Sequence, residues 1–287
     1  ALGISSAESV AVAGNVILGM TEAPLLVRPF VERLTESELF CLMVAGMATI
    51  AGTVMVIYST ILSSAHPEIA GHLFTASLIS APAAVGVAKL MKPERERPAT
   101  AETTVDLPRE DTRNGLDAAA RGASEGLQLA LNIVAMLIAF IGLVALANHI
   151  VGWLDHLING ASASGWSLQR AAGYLFRPMV WLMGVPWHET SVVGQLMGLK
   201  TVLNEFVAYL ELAAVMQGGQ PLQERTFVIT SYALCGFANF GSVAIMIGGI
   251  GGIAPTRRAD LARFGLPSLV AGTLATMLTG CVIGFFL

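Results

Sequence analysis

Apolar residues run along this chain in blocks of twenty or more, with short polar punctuation between them. Five blocks meet the roughly 20 residues that a bilayer-spanning helix needs: 39–62, 69–91, 127–154, 226–250 and 264–287. The third is the longest and cleanest, which predicts a tilted or structural helix. The last two are rich in Gly, Ser, Thr and Ala, the residues that let membrane helices approach closely. Two more blocks are apolar but broken. Block 10–31 is interrupted by Gly14, Asn15, Gly19, Thr21, Glu22 and Pro24. Block 171–216 is interrupted by Pro178, Gly184, Pro186, Gly194, Gly198, Lys200, Asn204 and Glu205. Irregular backbone at membrane depth is tolerated only against protein or a wet cavity. Each broken block therefore predicts a re-entrant hairpin, a helix in and a helix back to the same side.

The positive charges choose between topologies. With 92–121 in the cytoplasm and both broken blocks re-entrant, twelve Lys and Arg lie inside, two (Arg170 and Arg225) outside, and Arg177 and Lys200 within the second hairpin. Making 171–216 a single span would put Arg257, Arg258 and Arg263 outside, against the positive-inside rule. The expected organisation is a first, inward-opening hairpin over 1–38, two spans over 39–91, and a cytoplasmic charged loop with an interfacial helix over 92–126. A scaffold span over 127–154, an outward-opening hairpin over 171–216 and two spans over 226–287 follow. Within the loop, 93–108 is expected to be flexible and 114–128 a short interfacial helix.

Composition supports a membrane protein and excludes other classes. Of 287 residues, 54% are hydrophobic and 13% charged, where a soluble domain carries about 25% charged. Mean hydropathy is +0.68. A net charge of −4 gives no basic field for nucleic acid. Cys41, Cys235 and Cys281 lie in apolar blocks without metal-ligand spacing and read as packing residues. The run from Gly248 to Gly252 lacks the Lys-Ser/Thr of a phosphate loop and reads as a helix end. Trp187-His188-Glu189 is no zinc motif, and no Gly-x-Ser-x-Gly elbow is present. The chain starts at Ala1, without Met or a signal peptide.

Candidate chemistry sits in the broken segments. Two of them in opposite orientation suggest an inverted repeat with a site at the midplane. Each carries a carboxylate near its tip, in Gly19-Met20-Thr21-Glu22 and in Asn204-Glu205. A charge inside a bilayer costs several kcal/mol and is ordinarily paired, wet or functional. A carboxylate accepts two hydroxyl hydrogen bonds, so these acids suit a polyhydroxylated ligand; Glu22 as a helix cap is the bland alternative. Asn239 and Ser242, three apart, would share a helix face, with Phe237 either packing or forming an aromatic wall.

Gly19-Met20-Thr21-Glu22-Ala23-Pro24-Leu25, Asn204-Glu205-Phe206-Val207-Ala208-Tyr209 and the run from Ser231 to Ser242 resemble signatures of the concentrative nucleoside transporter family. The segments 73–83 and 117–123 are similar too, so the resemblance extends over the whole chain. It implies an all-α, elevator-type secondary transporter with no cofactor, driven by Na⁺ or H⁺, built as a homotrimer in the bacterial inner membrane. It also implies further helices ahead of Ala1, which makes the sequence look N-terminally incomplete. By motif match, Gly19, Met20, Thr21, Glu22 and Val54 would meet the nucleobase. Glu205, Asn239 and Ser242 would hold the ribose, flanked by Phe237. A sodium site would use Asn15, Thr49 and the carbonyls of Leu18 and Ile50. Met20 departs from the glutamine common in the family and leaves a softer, more apolar base pocket; Thr49 replaces serine and keeps the hydroxyl. Three other readings are a modified nucleoside or nucleobase as substrate, a non-transporting sensor, and an intramembrane hydrolase using Glu22 and Glu205.

Overall fold

The computed structural model describes residues 4–101, 114–160 and 165–287, and every regular element among them is helical. The first half opens with α1 (Ser6–Asn15), a turn, and the short helices α2 (Ala23–Leu26) and α3 (Arg28–Val31). This is the first hairpin. Then come α4 (Glu36–Ala48), α5 (Gly52–Leu62) and α6 (Ile69–Met91). Helices α7 (Gly115–Asn159) and α8 (Leu168–Leu182) lead to the second half. That half repeats the order: a hairpin of α9 (Thr190–Val202) and α10 (Glu205–Gln217), a broken helix α11 (Glu224–Leu234) and α12 (Phe240–Ile253), and an unbroken α13 (Arg258–Phe286).

Local chemistry sets these boundaries. Ser5 with Glu8, and Thr35 with Glu38, form capping boxes that start α1 and α4, each satisfying two otherwise orphaned N–H groups. The Ser5 hydroxyl also bonds the Glu38 carboxylate, so the two caps interlock. Asn204 and Asn239 cap α10 and α12, accepting from Val207 N at 2.9 Å and Ser242 N at 2.7 Å. Gly184, at φ +94°, makes the turn that ends α8, a backbone shape that glycine reaches without strain.

The structure revises four expectations. Block 39–62 is two helices, with Thr49 and Ala51 in extended backbone between them. Block 226–250 is likewise split, at 235–239. Block 171–216 holds three helices: the hairpin is α9 and α10 alone, and α8 is a separate helix packed along α9. Its strongly amphipathic pattern exposes Tyr174, Leu175, Trp181 and Leu182 on one side, the signature of a helix lying in the membrane interface. Finally, 114–128 is no separate helix but the start of the 45-residue α7. Of the charged loop, 102–113 lies outside the described residues, which takes in 102–108 of the stretch expected to be flexible.

Among the described residues, four stretches are long and apolar enough to cross a membrane: Glu36–Leu62, Ile69–Met91, Ile141–Asn159 and Pro255–Phe286. Helix α13 is central, packing on α4, α6, α11 and α12. One core cluster joins α1, α4, α6, α12 and α13, a second joins α5, α6 and α8–α11, and Phe237 packs against both. Helix α7 stands apart, running mainly along α12.

Charges gather at the two ends. At one, Lys89 pairs with Glu8 at 2.6 Å, Lys92 and Arg263 both pair with Glu36, and Arg257 pairs with Asp260 at 2.9 Å. Arg257 also donates to the Leu34 carbonyl at 2.6 Å. Four of the cations assigned to the cytoplasm thus meet on one face. At the other end Arg225 donates to the carbonyls of Gly184 and, at 2.6 Å, Gly284. Glu189 accepts from Gln223 N at 2.8 Å and from the Thr226 hydroxyl.

Candidate functional site

Both helix breaks and both hairpin tips converge at the centre of the fold. The first tip is tied to the first break by Gly52 N–H donating to the Ile17 carbonyl at 2.8 Å. Ser77 on α6 holds the tip from behind, donating to the Val16 carbonyl at 3.1 Å. The two breaks touch each other: Phe237 N–H donates to the Thr49 carbonyl at 3.2 Å. A Cβ at Gly236 would lie 2.8 Å from the Ala48 carbonyl oxygen, so only glycine permits this approach.

Between the tips lies a cleft of about 780 Å³, within the range of small-molecule sites. The nine residues expected to face substrate all line it: Gly19, Met20, Thr21 and Glu22 from the first tip, Val54 from α5, Glu205 from α10, and Phe237, Asn239 and Ser242 from the second break. Helix α7 closes the far side with Ile141, Val144, Ala145 and Asn148.

The two carboxylates differ in setting. Glu22 is exposed to the cleft, makes no cap bond, and accepts from the Thr21 hydroxyl at 3.0 Å. Glu205 is 5% exposed. Its Oε1 accepts from the Tyr58 hydroxyl at 2.7 Å and its Oε2 from Asn239 Nδ2 at 3.0 Å. Each oxygen is thereby oriented yet keeps acceptor capacity. A carboxylate oriented by two donors forms strong hydrogen bonds with hydroxyl groups. Asn239 and Ser242 do come together, but as the cap of α12 and its third residue rather than as one helix face.

The expected sodium ligands sit where the first tip meets the first break. Asn15, Thr49 and Ile50 are buried and Leu18 is half-buried. Asn15 Nδ2 donates to the Ala11 carbonyl at 3.2 Å, while its Oδ1, also buried, has no hydrogen-bond partner among the described residues. Thr49 donates its hydroxyl to the Ala45 carbonyl at 2.9 Å, which leaves oxygen lone pairs available. An orphaned amide oxygen beside a hydroxyl and unwound carbonyls is a donor set for a hard cation. No group of three His, Cys, Asp or Glu that could hold a metal occurs among the described residues.

Sequence reasoning missed Tyr58 and Tyr209. Tyr58 sits in a long apolar block with nothing to mark it, and only folding brings it to Glu205. Tyr209 is in the quoted motif; it donates to the Ser231 carbonyl at 2.7 Å and stacks near Tyr58, ring centroids 4.5 Å apart.

A family model described as "Na+ dependent nucleoside transporter C-terminus" matches residues 72–284. An "Uncharacterized transporter" of Haemophilus influenzae is 45% identical over all of this chain and 67% of its own length. Mouse "Solute carrier family 28 member 3" is 42% identical over 99% of this chain and 41% of its own. CNTnw in an inward-facing substrate-bound state is 40% identical, with TM-score 0.78, covering 99% of this chain and 66% of that one. A CNTnw variant in an outward-facing state gives a TM-score of 0.85 at the same identity, covering 97% and 65%. The chain thus spans about two thirds of its bacterial relative and two fifths of its mouse one. These are transporters, which removes the two-carboxylate hydrolase reading. With hairpins, broken helices and the family match in agreement, this chain belongs to the Na⁺-dependent, concentrative family of nucleoside transporters.

Proposed function

We propose that the full protein is a sodium-coupled importer of nucleosides in the bacterial inner membrane. The observation that carries this reading is the Glu205 carboxylate, buried at the meeting of two hairpin tips and held by Tyr58 and Asn239 with acceptor capacity to spare. A ribose diol is the ligand chemistry that such a group recognises. Glu205, Asn239 and Ser242 take the sugar, Phe237 flanks it, and Gly19, Met20, Thr21, Glu22 and Val54 face the base. Sodium takes Asn15, Thr49 and the Leu18 and Ile50 carbonyls, ordering the first tip against the first break. Substrate bridges the two tips, and the hairpins and broken helices then move as a body past α7. The outward- and inward-facing states solved for CNTnw support that movement. The apolar exposure of α7, where Ile138, Leu157 and Ile158 are each more than 60% exposed, supports burial against lipid and the other subunits of a trimer. Uptake of labelled uridine and adenosine by the full-length protein in liposomes tests the reading. Accumulation under an inward Na⁺ gradient is expected; accumulation under a proton gradient alone, or none at all, overturns it.

Two variants refine the base end. A Cβ at Gly19 would lie 2.2 Å from Glu22 Oε2, so Gly19→Ala displaces the carboxylate while leaving the backbone in place. Nucleoside affinity is expected to fall roughly tenfold, the loss of one charged hydrogen bond, with an unchanged melting temperature; calorimetric titration measures the first and a thermal scan the second. Met20 is 6% exposed and offers a base edge only a thioether. Met20→Gln adds a donor and an acceptor that one base satisfies and another leaves unpaired. The ratio of uridine to adenosine affinity is expected to change by about fivefold or more, as competition assays would show.

A further inference from the structure

Lys200 has no part in the site above, yet it is completely buried at the heart of the second half. Its Nζ donates to the Ala233 carbonyl at 2.8 Å and to the Thr276 hydroxyl at 3.1 Å. Ala233 is in the last turn of α11, immediately before the break. The C-terminal end of a helix carries partial negative charge on carbonyls that lack intrahelical partners. Inside a membrane such an end calls for a cation. Glu205 opens α10 directly across the hairpin tip from Lys200, three residues past the end of α9.

The first half has the same construction, with an amide where the second half has an ammonium. Asn15 occupies the end of the first hairpin's leading helix, as Lys200 occupies the last turn of the second's. The tip that follows Asn15 is bonded to the break after α4, through Ile17 and Gly52. There the chain presents oxygens, with the buried Asn15 Oδ1 unpartnered among the described residues; in the second half the corresponding corner is filled by an ammonium. In each half, a hydroxyl from the unbroken third helix reaches the hairpin: Ser77 bonds the first tip and Thr276 bonds Lys200.

We propose that Lys200 is a tethered counterpart of the transported cation. Its ammonium fills, in the second half, the position that Na⁺ takes in the first, so Glu205 stays charged and oriented without a second ion. Lys200 is a positioning residue: it acts on substrate through Glu205. The inference rests on the sodium-coupled reading for the identity of the ion.

The test compares the full-length protein with Lys200→Gln and Lys200→Arg. Glutamine removes the charge and leaves an oxygen at the corner; arginine keeps the charge. Uridine and adenosine binding is titrated against NaCl at constant ionic strength, with choline as the balancing cation. For Lys200→Gln, binding is expected to weaken at low Na⁺ and recover at high Na⁺. The slope of log affinity against log Na⁺ should rise by about one ion, as linkage requires of an added binding site. In liposomes the ratio of Na⁺ to nucleoside taken up should rise by the same amount. Lys200→Arg is expected to keep the parental slope. Without nucleoside, the melting temperature of Lys200→Gln should depend more steeply on Na⁺ than that of the parent. An unchanged slope in folded Lys200→Gln overturns the proposal, as does binding that no Na⁺ concentration restores. If the parent binds neither nucleoside, the transport reading fails, and the Na⁺ dependence of melting alone still decides the role of Lys200.

Discussion

Glu205→Gln is expected to abolish sodium-driven uptake and weaken nucleoside binding by about 10²–10⁴-fold, the loss of two charge-assisted hydrogen bonds at about 1.5–3 kcal/mol each. The substitution keeps shape and volume, so folding is not the reason. Tyr58 and Asn239 each donate to one carboxylate oxygen. An amide has only one oxygen, so one partner then faces a second donor rather than an acceptor. The substrate hydroxyls lose both the charge and one of two acceptors. Calorimetry on the full-length variant gives the affinity, and a melting temperature near that of the parent would assign the loss to the site. Retention of tight binding would mean that the buried carboxylate serves packing alone, and the ribose reading would fall.

The largest expected effect on stability lies away from the cleft. Helices α8 and α9 touch backbone to backbone through Gly173, Gly194 and Gly198. A Cβ at Gly198 would sit 2.4 Å from the Gln169 carbonyl oxygen, 2.7 Å from Gly173 N and 3.2 Å from Gly173 Cα. All three are backbone atoms, so no rotamer change relieves the clash and the helices must separate. Gly198→Ala is expected to cost about 3 kcal/mol, at the upper end for overpacking. The melting temperature of the purified protein should fall by roughly 6–12 °C, given about 2–4 °C per kcal/mol for chains of this size. Gly71, whose Cβ would meet nothing within 4 Å, supplies the control: Gly71→Ala should leave melting unchanged or slightly raised.

The sequence displayed the class of fold because bilayer physics is written residue by residue. Length and apolarity marked the spans, and the arginine and lysine count placed Arg257 and Arg263 on the side of Lys89 and Lys92, where the structure brings them into one network. Breaks inside the spans were not legible. Hydropathy is blind to backbone geometry, and Thr49-Ile50-Ala51 is as apolar as an intact turn. The helix α8 was absorbed into the second hairpin for a similar reason. Its apolar face and the apolar hairpin legs form one continuous block, and the turn at Gly184 looks like any other glycine interruption. The motif positions line one cleft, but what holds Glu205 in place did not announce itself. Tyr58 is separated from Glu205 by 147 positions, a pairing that only the crossing of hairpin and broken helix creates. The Asn239–Ser242 spacing was read as a helix face because a cap and its third residue share that separation.

The hydrogen bond from Phe237 N–H to the Thr49 carbonyl has a thermodynamic consequence. It fastens the break proposed to face the ion to the break proposed to carry the substrate wall, so a rearrangement at one is felt at the other. Occupancy at one break then shifts the free energy of the other, and such a coupling is reciprocal. On the proposed reading, the factor by which sodium tightens nucleoside binding must equal the factor by which nucleoside tightens sodium binding.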